Sequence, residues 1–368
     1  MFWIIGGLIL AVAVAGVIWL NTSPQFGGKH TEEDIARFEA SGHYEDGIFV
    51  NLIPTSLDMS LGEMWDVTLQ MFSRNGNKKP ESRIAPKHIS SNKIVPVKEA
   101  QVMWFGHSSL LVMIEGKNIL IDPMLGDVPA PHPTLGNRRF QNELPIEIDS
   151  LPRIDAILIS HDHYDHLDYG SIQKLKGKCE TYYVPLGVGA HLVSWGIPES
   201  QITEFNWWDE LDHDGLTLAF TPARHFSGRG LTNRATTLWG SWVINAATER
   251  IFFSGDSGYG DHFKEIGAKY GPFDLAMMEC GQYNELWHDI HMMPEETAQA
   301  GLDVGAKRVM PIHWGSFSLA MHSWTDPVDR FVSKAKELEV QFLTPEVGDL
   351  FKVSDQKFRG SQWWHGIK

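Results

Sequence analysis

Cysteine is almost missing from this chain: Cys179 and Cys280 are the two copies in 368 residues, and they form no C-x-x-C pair. That excludes a disulfide scaffold and a thiolate zinc cluster, and both thiols are expected to lie buried as small apolar groups. Positive charge is also scarce. Lys and Arg number 31 against 46 Asp and Glu, a formal net charge of −15. A surface that neutralises phosphate backbones needs clustered cations, so no nucleic-acid partner is expected. Internal repeats are absent, and so are long apolar runs after the N-terminus.

The one long apolar run is Phe2 to Leu20, which carries no charge and approaches the ~20 residues that span a bilayer. Residues 1–22 are therefore read as a transmembrane anchor or signal segment. No Lys or Arg precedes the run, and its small residues, Ala11 to Gly16, lie inside it rather than after it, which favours an uncleaved anchor. Lys29 is the nearest downstream cation and Glu32, Glu33 and Asp34 follow, so the flanks hardly set orientation. The expectation is a membrane-anchored protein of a bacterial inner membrane with its main body exported.

What is present is globular: 43% hydrophobic and 21% charged residues suffice for a sizeable core. Residues 23–98 read as a polar, Gly- and Pro-punctuated N-terminal extension. Within it, Leu61, Met64, Trp65, Thr68, Leu69 and Phe72 recur at helical spacing and share one face. That face either packs on the main domain or offers an apolar wall to a lipid substrate. The stretch Asn75 to Lys98, with its many basic residues, reads as an exposed linker. From residue 99 to about 360 the texture is one of short apolar runs bounded by Gly, Pro, Asp and Asn. Strands are predicted at Gln101–Phe105, Leu110–Glu115, Asn118–Asp122, Ala156–Ser160, Thr181–Val184, Leu216–Thr221, Thr237–Ile244, Arg250–Ser254, Leu275–Glu279 and Arg308–Ile312. Helices are predicted from Pro294, with Glu295 and Glu296 in its first turn, and over Pro327–Leu338. Strands interleaved with helices argue for packed sheets covered by helices in one large domain.

Seventeen histidines are the informative excess. The densest cluster, His161-Asp162-His163-Tyr164-Asp165-His166, directly follows the apolar strand Ala156–Ile159, and strand-end loops are where rigid scaffolds present ligands. Imidazole and carboxylate are the donors that zinc prefers. In extended backbone His161 and His163 project to one side, whereas Asp165 and His166 fall beyond the bend and address a second point. His225, Asp256 and His313 each follow a predicted strand in the same way. Each alone reads equally as a structural residue; together they complete a ligand set for two metals. Asp162 and Asp168 read as supporting or helix-capping residues. His107, at a strand end, is a candidate to orient a ligand from outside, and His291, just ahead of the Pro294 helix, a candidate for catalytic contact with substrate or leaving group. His262, His288 and His322 receive no role.

The pattern His161-x-His163-x-Asp165-His166 with His225, Asp256 and His313 resembles the metallo-β-lactamase superfamily over roughly residues 99–350. Further motifs resemble one branch, the N-acylphosphatidylethanolamine-hydrolysing phospholipase D group and its bacterial relatives. They are Trp104-Phe105-Gly106-His107-Ser108-Ser109, Asp122-Pro123, His225-Phe226-Ser227-Gly228-Arg229-Gly230, Thr237-Leu238-Trp239, Gly255-Asp256-Ser257-Gly258-Tyr259 and His313-Trp314-Gly315. Phe26-Gly27-Gly28-Lys29 and His43-Tyr44-Glu45-Asp46-Gly47 extend the likeness toward the N-terminus. The resemblance implies an α/β fold, a four-layer αββα sandwich. It implies one zinc on His161, His163 and His225, a second on Asp165, His166 and His313, and Asp256 bridging them, with a role near the reaction for His291.

Two adjacent metals polarise a phosphoryl or carbonyl oxygen and activate water for direct attack, so no Ser or Cys nucleophile is needed. The expected activity is that of a dinuclear zinc hydrolase, with iron or manganese as alternative metals, acting on a phosphodiester. A phospholipase D-type cleavage of N-acylphosphatidylethanolamine to N-acylethanolamine and phosphatidic acid fits the branch, with lipid and membrane as partners. Hydrolysis of another ester or of a sugar-phosphate lactone is the alternative. The oligomeric state is not legible in the sequence.

Overall fold

Alternation of apolar residues on the strands decides the architecture. In a computed structural model, which describes residues 2–56, 59–72 and 76–367, two mixed sheets lie face to face. The N-terminal sheet holds β3 (Gln101–Trp104), β4 (Leu110–Ile114), β5 (Lys117–Ile121), β6 (Ile154–Leu158), β7 (Cys179–Pro185), β8 (Ile202–Phe205) and the late β15 (Leu350–Lys352), in the order β15-β3-β4-β5-β6-β7-β8. The second holds β9 (Glu210–His213), β10 (Leu216–Thr221), β11 (Ser241–Asn245), β12 (Arg250–Phe253), β13 (Leu275–Glu279) and β14 (Val309–Ile312), in the order β14-β13-β12-β11-β10-β9. A small hairpin, β1 (Tyr44–Glu45) and β2 (Ile48–Phe49), precedes them.

Successive strand residues point to opposite faces. Val102, Trp104, Val112, Ile119, Ile121, Ala156 and Leu158 accordingly join Phe220, Trp242 and Phe253 in the core between the sheets. Their neighbours Met103, Leu111, Leu120, Ile157, Ile159 and Tyr182 face outward under α4 (Tyr169–Leu175) and α5 (Val188–Ser194). On the far side α6 (His262–Tyr270), α7 (Pro294–Asp303) and α8 (Asp326–Glu337) cover the second sheet through Phe263, Ile266, Ala298, Val328 and Phe331. The expected αββα sandwich is what forms. The predicted strand from Thr237 begins only at Ser241, because the backbone of Leu238 and Gly240 donates across to Leu186 and Ser160 of the other sheet instead of entering a ladder.

The N-terminal extension is built into the same body. Phe38 of α2 (Glu32–Glu39), Phe49 and Ile84 are all buried within the main hydrophobic cluster of the body. Residues expected as an exposed linker are tied down, with Ile84 bridged to Gln141 and the Lys87 amide donating to Val347. Asn75, at the head of that stretch, lies outside the described residues. The predicted amphipathic helix forms as α3 (Leu61–Phe72), yet its apolar face is uncovered: Leu61 is 86% and Trp65 64% exposed. The side chain of Phe72 lies outside the described residues.

Residues 1–22 require a correction. A helix α1 (Phe2–Thr22) is present, but among the described residues no helix is long and apolar enough to cross a membrane. The reason lies at its C-terminal end, where the helix belongs to the globular body. Trp19 packs edge-on against Phe26 at 5.0 Å and near His132 at 6.3 Å, and Gly16, Trp19 and Leu20 wall a groove with Phe26 and Leu135. The part ahead of that contact, Phe2 to Ala15, reaches about 21 Å at 1.5 Å per residue, short of the ~30 Å hydrocarbon core. The transmembrane anchor is withdrawn.

Candidate metal centre

Every site candidate arises where a strand ends. His161 to His166 follow β6, His225 follows β10, Asp256 follows β12 and His313 follows β14, so loops from both sheets converge at one edge of the sandwich. Backbone strain concentrates here: His107, Asp122, Gln282 and His313 all hold left-handed φ between 41° and 66°, which costs free energy and persists where surrounding structure enforces it. His107 and His313 brace each other, since the His313 amide donates to the His107 carbonyl and the His107 amide to the Trp314 carbonyl. Gly255 (φ +58°) lets the Asp256 loop pass tightly, because a Cβ there would lie 2.4 Å from the Gly240 oxygen.

The donors form two groups. His161, His163 and His225 bring ligand atoms within 4.8 Å of one another, and so do His107, Asp165, His166 and His313. Asp256 stands between them. Its Oδ2 is 3.1 Å from His166 Nε2 and 3.8 Å from both His161 Nε2 and His225 Nε2, and its Oδ1 is 3.1 Å from His313 Nδ1. His291 stacks on His313 at 5.4 Å and contacts His225 at 4.9 Å.

Hydrogen bonds from outside fix the tautomers. The Ser160 hydroxyl donates to Asp122 Oδ2 (2.5 Å) and so accepts from His161 Nδ1 (2.9 Å). His225 Nδ1 donates to the Ile290 carbonyl (2.9 Å), and His166 Nδ1 donates to Asp122 Oδ2 (2.7 Å). The Nε2 lone pairs of His161 and His225 therefore both point at His163 Nδ1, at 2.9 and 3.2 Å. Buried His166 Nε2 and Asp256 Oδ1 have no hydrogen-bond partner among the described residues. Converging lone pairs and orphaned buried acceptors are costly without a cation, so the donor set fits metal ions.

Electrostatics agree for four of the ligand histidines; burial opposes charge on His166 too, but the carboxylates of Asp256, Asp165 and Asp122 outweigh it and hold that imidazole well above the usual range. Burial, with neighbouring imidazoles adding to it, holds His161 and His225 well below the usual histidine range. Burial likewise brings His163 down to about 4 and leads in holding His313 well below the usual range. Neutral imidazoles are the form that ligates. Burial pushes Asp256 up to about 6 against the pull of His166. Burial opposes charge on Asp165 too, but His166 and His107 outweigh it and hold that carboxylate well below its usual value.

His107 lies within the second donor group, its Nε2 2.9 Å from Asp165 Oδ2. Asp168 caps α4 by accepting from the Ser171 amide (2.7 Å), and Asp162, within the metal loop, is wholly buried. Three supporting residues had no assigned role in the sequence reading: Asp122, Ser108, whose Oγ is 3.0 Å from His313 Nδ1, and Glu279, whose Oε1 is 2.5 Å from His291 Nδ1. Glu279 ends β13, the same strand-end context that marked the ligands.

A cavity of about 350 Å³ opens onto this centre, with His163, Asp165, Asp256, His291 and His313 on one side and Met59, Val67, Phe226, Trp287, Ile290 and Leu319 among its apolar walls. Comparison with known proteins agrees with the geometry. Residues 117–314 match the family described as a beta-lactamase superfamily domain. The chain is 41% identical over 333 residues to an uncharacterized protein of Mycobacterium tuberculosis, covering 89% of this chain and 88% of that one. It is 31% identical over 270 residues to N-acyl-phosphatidylethanolamine-hydrolyzing phospholipase D 1 of Caenorhabditis elegans, covering 69% and 76%. It is 30% identical over 262 residues to a UPF0173 metal-dependent hydrolase of Pyrobaculum neutrophilum, covering 69% of this chain and all of that one. A buried donor set suited to metal, a two-sheet sandwich and this kinship together place the chain in the metallo-β-lactamase superfamily, as a metal-dependent hydrolase.

Proposed function

We propose that the protein is a dinuclear zinc phosphodiesterase that cleaves N-acylphosphatidylethanolamine in the manner of a phospholipase D, giving N-acylethanolamine and phosphatidic acid. The observation that carries the reading is Asp256 standing between two donor groups. His161, His163 and His225 would hold one ion and Asp165, His166 and His313 the other, with Asp256 available to both. Iron or manganese accepts the same donors. When bound, the ion pair polarises a phosphoryl oxygen and activates water.

The chain's own residues do the rest. The outer hydrogen bonds of His161, His166 and His225 keep their Nε2 lone pairs aimed inward, and Asp256 orients the attacking group. His291 is backed at Nδ1 by Glu279, which leaves Nε2 to take a proton released by the attacking water and pass it to the leaving oxygen. The lipid class is supported by kinship to the nematode phospholipase and by the apolar cavity walls. Met59 and Val67 of those walls adjoin the exposed Leu61, Met64, Trp65 and Leu69 of α3, an apolar surface beside the entrance.

The test is release of phosphatidic acid from N-acylphosphatidylethanolamine vesicles by Zn²⁺-loaded protein, beside a soluble phosphodiester and a lactone. Turnover on vesicles is expected. Cleavage of the soluble compounds with none on vesicles rejects the lipid assignment, and loss of no activity on full chelation rejects the metal assignment.

A further inference from the structure

The glycine-containing segment near the N-terminus is far from the metal loop in sequence, yet it is clamped to the back of that loop. Trp195 Nε1 donates to the Pro24 carbonyl (2.6 Å) and Arg229 Nε to the Gln25 carbonyl (2.8 Å). The Gly28 amide donates to His191 Nδ1 (3.0 Å). Because Nδ1 accepts there, the proton of the His191 ring sits on Nε2, which lies 3.2 Å from Asp162 Oδ2 and donates to it. Asp162 stands between His161 and His163 in the chain. Its other oxygen accepts from the Gly228 amide (2.7 Å), and Arg229 Nη1 grips the loop's backbone at the carbonyls of Asp162 (2.5 Å) and Leu167 (2.8 Å).

We propose that residues 24–28 and His191 form a buttress that sets the position of His161 and His163 through Asp162, making His191 and Asp162 positioning residues of one metal subsite. The inference rests on the ligand assignment proposed above. Four observations carry it. His191 and Asp162 are both essentially buried, so water cannot replace either hydrogen bond. Both ring nitrogens of His191 are used, one toward the N-terminal segment and one toward the loop, so the ring transmits position rather than filling space. The glycines are sterically required: a Cβ on Gly27 would lie 2.2 Å from the His191 ring, and one on Gly28 would lie 2.1 Å from the Ala190 carbonyl oxygen. Finally, the link through His191 is one-sided. It reaches Asp162, beside His161 and His163, while the side chains of Asp165 and His166 are held by His107 and Asp122.

The chemistry therefore predicts an asymmetric effect. Removing an outer hydrogen bond to a ligand-bearing group lowers metal affinity by roughly 10–100-fold, and here the loss falls on the subsite of His161, His163 and His225.

The experiment is titration of the metal-free full chain with Zn²⁺ against a chromophoric chelator, paired with the absorption spectrum of the Co²⁺ form. His191→Phe keeps the ring volume and deletes both hydrogen bonds, whereas His191→Gln keeps one acceptor and one donor. Gly28→Ala attacks the same contact from the far end. The expected result is two equivalents bound by the parent, one of them weakened about 10–100-fold in H191F and in G28A, with a changed Co²⁺ spectrum, and substantial recovery in H191Q. Parental affinity at both equivalents in H191F and G28A overturns the proposal, as does equal weakening of both equivalents, which marks general loosening. Should H191F fail to fold, G28A and H191Q decide the matter by the same criteria. A parent that takes up no Zn²⁺ overturns the metal reading and this one together, whereas normal uptake by parent and variants alike overturns the buttress alone.

Discussion

Asp122→Asn is the substitution with the sharpest consequence for the centre. Asp122 has no solvent exposure and accepts three hydrogen bonds: the Ser160 amide at 2.7 Å on Oδ1, and the Ser160 hydroxyl at 2.5 Å and His166 Nδ1 at 2.7 Å on Oδ2. An Asn side chain fills the same space but turns an NH2 toward one of these positions. Placed at Oδ1, it meets the Ser160 N–H and leaves a buried donor unmatched, costing about 1–3 kcal/mol. Placed at Oδ2, it meets His166 Nδ1–H, and relief comes only by moving that proton to Nε2, which then cannot ligate. At 1.4 kcal/mol per decade, a cost of about 1–3 kcal/mol corresponds to roughly 5–150-fold in affinity, in line with measured losses of about 10–100-fold for outer-shell partners. The assay is competitive Zn²⁺ titration of the folded variant. One equivalent is expected to weaken by one to two decades, and the metal-free variant to lose on the order of 1–3 kcal/mol in urea unfolding if the unmatched donor is kept. Two equivalents at parental affinity with unchanged stability refute the tautomer argument.

Three further predictions follow from other parts of the molecule. His163→Ala removes the atom on which two imidazole lone pairs converge; metal analysis should show fewer than two equivalents, and hydrolysis should fall beyond the ~10–100-fold typical of outer-shell loss, so full activity with full metal disproves the assignment. Replacing Leu61, Trp65 and Leu69 by Ser should shift stability by no more than about 0.5 kcal/mol each, because these side chains are exposed; turnover on vesicles should drop while that on a soluble phosphodiester holds, and an equal fall on both would dissociate α3 from lipid access. His262 is brought down to about 3 by burial, with nearby Arg224 adding to it. Because its folded value lies below its unfolded value, its contribution is complete above about pH 6.5 and drains away as pH falls toward about 3. His262→Gln in chelator should therefore flatten the stability-versus-pH curve across that window by an amount on the order of a few kcal/mol, and an unchanged curve counts against a buried neutral imidazole.

Much of the centre was legible because its residues carry rare chemistry at fixed places. Three histidines and two aspartates within six positions, directly after an apolar strand, leave few readings. His225, Asp256 and His313 could be added because each follows a strand whose apolar run is visible. Glu279 shared that context, at the end of Leu275–Glu279, but a single carboxylate has no signature until His291 is seen at 2.5 Å. Asp122 and Ser108 were visible only inside motifs, without roles, since hydrogen-bond partners brought together from distant segments have no spacing to detect. The N-terminal helix shows the opposite failure. Composition correctly marked an apolar helix, but composition does not reveal that Trp19 and Leu20 are committed to the body.

The sequence by itself determined the strand and helix alternation, and hence sheets packed under helices, because apolar runs and patterns dictate which faces must be buried, while the four-layer order was what the family resemblance implied. It also determined the donor chemistry, because metal affinity resides in residue type and in short local spacing. Tertiary structure alone decided which imidazole nitrogen faces inward, that α3 leaves its apolar face open, and that residues 24–28 brace the loop of His161 and His163 by way of His191, which lies 163 positions from Gly28. Those are properties of convergence in space, set by how two sheets and their loops pack, and nothing local in the chain encodes them.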